Sequence, residues 1–153
     1  MHKMRFTNGQ DMHWDRWLVV IWGFGFPQHS WGVDMIEKIE KPWGSELKFA
    51  HTAHYVGKIL EVKSGEALSI QYHREKVETM HVIEGTGRMV LYVMDEDGDP
   101  SVTSITIMNP GDTFHLPPRQ IHRIVADTDM KIVEVSTNHL NDLVRLQDKY
   151  NRK

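Results

Sequence analysis

Gln71 and His73 stand two residues apart, so on a strand their amide and imidazole leave the same face. Glu78 comes five residues later, and His122 lies far downstream, behind the rigid corner Pro117-Pro118. An amide oxygen, two imidazoles and a carboxylate form a mixed nitrogen and oxygen donor set for one divalent ion. Zinc is the first choice, with manganese, cobalt, nickel and iron also compatible. Such a set leaves coordination positions open to water or substrate, as a catalytic ion requires. The chain has no cysteine, which excludes thiolate ligands and disulfides alike. A Gln-x-His pair by itself is a weak signal, since a strand histidine is more often a satisfied structural residue than a ligand. His81 has the opposite parity to Glu78, and His115 sits between Phe114 and Leu116, so both read as structural. His51 and His54 have the spacing of a helical metal pair but fall in what reads as a hairpin turn.

The elements that must position these residues are short strands. Tyr55–Val62 has the β-branched and apolar content of a strand and stops at Lys63-Ser64-Gly65-Glu66. Leu68–His73, Thr79–Ile83, Arg88–Met94, Ser101–Met108, Thr113–Leu116, Arg123–Ala126 and Lys131–Ser136 are the further strands. The acidic turn Asp95–Pro100 superficially suggests a calcium loop but lacks the later ligands, and it reads as a hairpin. After Asn138 the spacing of Leu140, Leu143, Val144 and Leu146 predicts a short C-terminal helix, with Asp142 at its start and Lys149 and Arg152 near its end. Many short strands at eight-to-twelve-residue spacing predict an all-β barrel or jelly roll.

Composition and charge narrow the class. The 153 residues suffice for one core, and 40% hydrophobic content is ordinary for a globular chain. Eighteen Lys and Arg against twenty-one Asp and Glu give a net charge of −3 with both signs interspersed, so no nucleic-acid partner is expected. The longest apolar run, Trp17 to Phe26, is about half a bilayer span and contains two glycines; no membrane partner and a cytoplasmic location are expected. Residues 1–35 differ from the remainder of the chain, holding four of the five tryptophans with no sustained period. They read as an atypical Trp-rich N-terminal extension, or alternatively as a lid or interface segment, before a domain over 36–153.

Two stretches carry a resemblance. Gly65, Gln71-Tyr72-His73, Glu78 and Gly85 resemble the first cupin motif, with Gln in place of its first His. Gly111, Pro117 and His122 resemble the second, with Arg119 where that motif usually has glycine. Lys41-Pro42-Trp43-Gly44, Leu68–His73, Val133-Glu134-Val135 and Asp142–Tyr150 look like type II mannose-6-phosphate isomerase, over roughly residues 39–152. In that family the domain is often fused behind a mannose-1-phosphate guanylyltransferase, whose glycine-rich phosphate loop is not found in these 153 residues. The resemblance implies a cupin double-stranded β-helix and the ligand set Gln71, His73, Glu78 and His122. It also implies interconversion of mannose 6-phosphate and fructose 6-phosphate.

Moving a proton between C1 and C2 through an enediolate needs a proton carrier and a cation for the phosphate. Lys58 matches a lysine of the resembling family and shares a face with Leu60 and Val62; it is a catalytic candidate or a surface lysine with a buried stem. Glu134 is a proton carrier or a structural salt-bridge partner. Arg123 is a third catalytic candidate, although a regular strand turns it to the face opposite His122. Arg119 and Ser69 are candidates for binding the phosphorylated sugar. A non-catalytic cupin that binds a sugar or nucleotide sugar in polysaccharide synthesis is the competing reading, and an iron oxygenase a third. Exposed strand edges predict a homodimer.

Overall fold

The structure is a computed structural model that describes residues 36–152; the Trp-rich extension expected over residues 1–35 lies outside the described residues. β-Branched and apolar runs broken by turn residues become eleven strands. β1 (Glu37–Lys41), β2 (Gly44–His51), β3 (Tyr55–Val62), β10 (Met130–Thr137), β5 (Glu78–Glu84) and β8 (Thr113–Leu116) form a six-stranded sheet in that order. β11 (Leu143–Gln147), β4 (Ile70–His73), β9 (Ile121–Ala126), β6 (Gly87–Met94) and β7 (Pro100–Met108) form the second sheet. Every pairing is antiparallel, and strands distant in sequence lie side by side, β3 with β10 and β4 with β9. The architecture is the expected jelly-roll barrel. Among the described residues no helix is long and apolar enough to cross a membrane.

Inward positions of both sheets supply the core. Met80, Met89, Met108, Ile124 and Ile132 are fully buried, each contributing about 1.5–3 kcal/mol by leaving water. Two glycines of the quoted motifs are fixed by close backbone approach. A Cβ on Gly85 would stand 1.9 Å from the Asp129 carbonyl, and one on Gly44 would stand 1.9 Å from the Glu61 carbonyl. Both also have positive φ, at 77° and 146°. Arg119 has a φ of 66°, in the left-handed region that favours glycine. The geometry thus accounts for the glycine usual at that point of the second motif, and here a side chain bears the strain. The acidic turn is the β6–β7 hairpin, in which the Asp95 carboxylate accepts from the Asp97 and Asp99 backbone N–H groups.

The C-terminal helix expected from the sequence is not formed. Residues 143–147 are instead the strand β11, which pairs with β4 through Leu143↔His73, Val144↔Tyr72 and Arg145↔Gln71. Five residues are too few to separate a period of 3.6 from a period of 2, since Val144 and Leu146 also alternate with Leu143 and Arg145. The open edge of β4 decides the matter, because its backbone groups need partners that a helix could not supply.

Past β11 the chain is clasped onto the barrel. Asp148 accepts from the Arg152 guanidinium at 2.7 and 2.9 Å and from the Arg152 backbone N–H at 2.9 Å. Glu66 accepts from the Tyr150 hydroxyl and from Lys149. The Arg152 contacts hold the Asp148 carboxyl down at about 2. A depressed carboxyl contributes stability above its unfolded value, near 3.9, and loses it as pH falls toward the folded value. Asp148→Asn is therefore expected to cost about 1.5–3 kcal/mol near neutral pH, a charged hydrogen bond's worth. Urea titrations from about pH 6 down to 2.5 should show the gap from wild type closing below about pH 4. A gap unchanged at pH 2.5 would reject the ionic account.

Candidate metal centre

A cavity of about 280 Å³ is lined by residues of both sheets, near the lower end of the range for small-molecule sites. Strand register builds its walls. Glu134 on β10 stands opposite Lys58 on β3 and opposite Met80 on β5, and all three line the cavity with Leu60. Gln71 on β4 pairs with His122 on β9 and with Arg145 on β11. Cationic side chains exceed anionic ones along the lining: Lys41, Lys48, Lys58, Lys76, Arg145 and Arg152 against Glu46, Glu78 and Glu134.

Of the proposed ligand set, Gln71, His73 and Glu78 line this cavity; His122 is not on the lining and reaches the group through Glu78, whose Oε1 lies 3.2 Å from its Nε2. His73, Glu78 and His122 are buried and Gln71 is half-buried. The Gln120 carbonyl lies 2.9 Å from His122 Nδ1, which donates to it and so fixes the ring with Nε2 turned toward Glu78. Nε2 lies 3.2 Å from Glu78 Oε1, and neither atom has a hydrogen-bond partner. Two buried polar atoms this close are satisfied by a shared proton or by a cation between them. His73 is oriented in the same way, with Nδ1 2.7 Å from Asp142 Oδ1. Burial and the neighbouring Lys76 ammonium push the His73 imidazole below the usual histidine value, against the pull of Glu78 and Asp142. With Nδ1 on the Asp142 carboxylate and the Lys76 ammonium 3.5 Å from Nε2, the Nε2 side of the ring is its acceptor side. An acceptor on the outer nitrogen of each ring is the pattern that fixes metal-binding histidines. The donors therefore fit a divalent ion in kind and in orientation.

The same set is not closed around a point. Among the described residues no three His or carboxylate side chains converge tightly enough to hold an ion as they stand. Glu78 Oε2 lies 3.9 Å from His73 Nε2 and is occupied by Lys76, whose Nζ donates to it at 2.5 Å. Lys76 Nζ also donates to Glu134 Oε1 at 2.6 Å and lies 3.5 Å from His73 Nε2. Burial alone would lower the Lys76 ammonium, but the Glu134 and Glu78 carboxylates outweigh it and hold it above the usual lysine value. Burial would likewise raise the Glu78 carboxyl; His122 and Lys76 instead hold it well down.

The remaining sequence candidates divide by position. Lys58 and Glu134 line the cavity, Lys58 with its Nζ 3.1 Å from Glu46. Ser69 lines it too, but its hydroxyl donates to Gln71 Oε1 at 2.6 Å and so fixes that amide. Arg123, a catalytic candidate of the sequence, is not on the lining. Strand parity turns it away from His122, and its Nε donates to the Leu68 carbonyl at 2.8 Å. Arg119, the substrate-binding candidate, also lies off this cavity, in a separate pocket with Tyr72, Arg74 and Met94. His81 and His115 bond the hydroxyls of Thr113 and Thr79 on the outer face of β5 and β8.

Sequence reasoning misses three groups. Lys76 passes unremarked, although a lysine between two candidate ligands is a signal in itself. Asp142 has the position of a helix-dipole charge in the sequence. It is instead a clamp: besides holding His73, its Oδ2 accepts from the backbone N–H groups of Glu75 and Lys76, both at 2.8 Å. Arg145 is hidden by the helical spacing, since only as a strand residue paired with Gln71 does it reach the cavity lining.

Known proteins repeat this frame. Residues 29–148 match the family model described as mannose-6-phosphate isomerase C-terminal. The mannose-1-phosphate guanylyltransferase of Escherichia coli (strain K12) is 28% identical over 120 residues, 75% of this chain and 23% of that protein. The alginate biosynthesis protein AlgA of Pseudomonas syringae pv. tomato is 24% identical over 75% of this chain and 23% of its own length. The chain thus spans about a quarter of the length of these relatives. Among solved structures, the capsular polysaccharide assembling protein CapF of Staphylococcus aureus superposes with a TM-score of 0.62 at 18% identity, over 74% of this chain and 32% of CapF. An RmlC-like cupin from Shewanella frigidimarina superposes with a TM-score of 0.57 at 17% identity, over 78% of this chain and 93% of its own. The barrel is therefore a cupin, and the chain belongs to the mannose-6-phosphate isomerase C-terminal family.

Proposed function

We propose that this chain is an aldose–ketose isomerase of phosphorylated sugars, taking mannose 6-phosphate to fructose 6-phosphate with one divalent ion, zinc foremost. The observation that carries the reading is the pair of buried imidazoles beside a buried carboxylate, of which His73 and Glu78 line a cavity with excess positive charge. Gln71, His73, Glu78 and His122 would hold the ion, and the ion when bound polarises carbonyl and hydroxyl oxygens. The chain's own residues do the rest. Glu134 accepts the C2 proton and returns it to C1, while a second proton passes from the C2 hydroxyl to the C1 oxygen. Lys58, in register with Glu134, presents its ammonium to the developing oxygen charge. Lys41, Lys48 and Arg145 offer counter-charge to the phosphate. A homodimer belongs to the same reading, with the open edge of β7 and its exposed Val102, Ile105 and Ile107 as the surface a second copy meets.

One observation favours the alternative, a cupin that binds a sugar or nucleotide sugar without turning it over. Glu134, the proposed proton carrier, already accepts from Lys76 at 2.6 Å.

A coupled assay for fructose 6-phosphate, run on metal-stripped protein with zinc, manganese, cobalt or nickel restored, separates the two. Turnover is expected with metal only, abolished by His73→Ala and reduced about 10²–10⁴-fold by Glu134→Gln. Sugar-phosphate binding without turnover would transfer the reading to the binding cupin. The His73 clamp has its own consequence: Asp142→Asn should weaken metal binding about 10–100-fold in a competition titration against a chromophoric chelator. Unchanged affinity would mean that the clamp does not orient a ligand.

A further inference from the structure

Lys76 lies where a bound cation would be most strongly attracted, and it is itself a cation. Its Nζ is 2.5 Å from Glu78 Oε2, 2.6 Å from Glu134 Oε1 and 3.5 Å from His73 Nε2, and the side chain is 4% exposed. Two of those three atoms belong to the proposed ligand set. We propose that Lys76 is a resident competitor for the divalent ion, so that metal enters only as the ammonium gives up Glu78 and His73. This rests on the metal reading of the site.

Three features carry the inference. An ammonium and a divalent ion sharing one carboxylate repel each other across a few ångströms, and burial leaves that repulsion unscreened by salt. The lysine is also anchored from behind. Asp142 Oδ2 accepts from its backbone N–H, and the other oxygen of the same carboxylate orients His73, so ligand and competitor are held by one group. Finally, the site is divided unevenly. Glu78 Oε1 and His122 Nε2 are left without partners on one side, while Glu78 Oε2 and His73 Nε2 face the ammonium on the other. Glu134, which is outside the ligand set, gives the displaced ammonium a carboxylate to keep.

Metal affinity measured at one fixed pH tests this. Apo protein is titrated with zinc against a chromophoric chelator, and with cobalt by its absorption bands, for wild type and Lys76→Met. Because the methionine variant leaves Glu78 and Glu134 buried without a counter-charge, a second pair removes one of those carboxylates in both members: Glu134→Gln alone against Lys76→Met with Glu134→Gln, the double variant having the wild-type net charge. In each pair the lysine-free chain is expected to bind at least thirtyfold more tightly. In the wild type, the NMR signal of the buried Lys76 ammonium should shift or vanish as zinc reaches one equivalent. Wild type binding one equivalent, with the lysine-free chains equal or weaker, would overturn the competition and leave the metal reading standing. If no variant and no wild-type protein binds either ion at millimolar concentration, the metal reading itself fails, and this proposal with it.

Discussion

The contact on which the site depends is a buried ammonium held between two buried carboxylates. Lys76, Glu78 and Glu134 are each less than 5% exposed, in a barrel whose neighbouring side chains, Leu60, Met80 and Leu116, are apolar. Taking such charges out of water costs several kcal/mol per ion, and only close, well-directed pairing offsets it. Short contacts from one Nζ to both carboxylates provide that pairing. The remaining negative charge of the cluster faces the two imidazoles, so charge balance and the chemistry of the site are one problem. Replacing a buried ion cluster by well-packed apolar side chains is often neutral or stabilising, so the cluster is not where the barrel's stability comes from.

Asp142 links this cluster to the sheet edge. It stands immediately before β11, so the pairing of β11 with β4 delivers its carboxylate to His73 on β4 and to the turn that carries Lys76. One strand addition thereby closes an open edge, brings Arg145 to the cavity lining and fixes a ring nitrogen. The strain accepted at Arg119 belongs to the same region, since its backbone N–H donates to the His73 carbonyl at 2.6 Å. A left-handed residue with a side chain costs of order 1 kcal/mol or more, and here it ties the β8–β9 corner to the strand that bears His73.

Much of the frame was legible in the residues. Tyr55–Val62 and Thr113–Leu116 have the bounds predicted, because β-branched runs ending at Gly, Ser or paired prolines leave little choice. Parity along the strands separated the inward His73 and His122 from the outward His81 and His115, and it turned Arg123 away from His122. Parity also had its limit. It assigns a face only once a segment is known to be a strand, and over residues 143–147 apolar spacing alone fitted two periods.

What the sequence by itself determined is the all-β barrel, its motif glycines and the common face of Gln71 and His73. These come from local rules: alternation, turn chemistry and the conformations open to glycine. What only the tertiary structure decided is how those polar groups are shared. That Lys76 joins Glu134 to Glu78 and that Asp142 clamps His73 depend on groups 58 and 69 residues apart in the chain. That residues 143–147 extend a sheet depends likewise on a distant strand with an open edge. Hydrogen-bond and charge satisfaction in a buried site is a property of the closed barrel, where water is excluded and each group must find a partner from another strand.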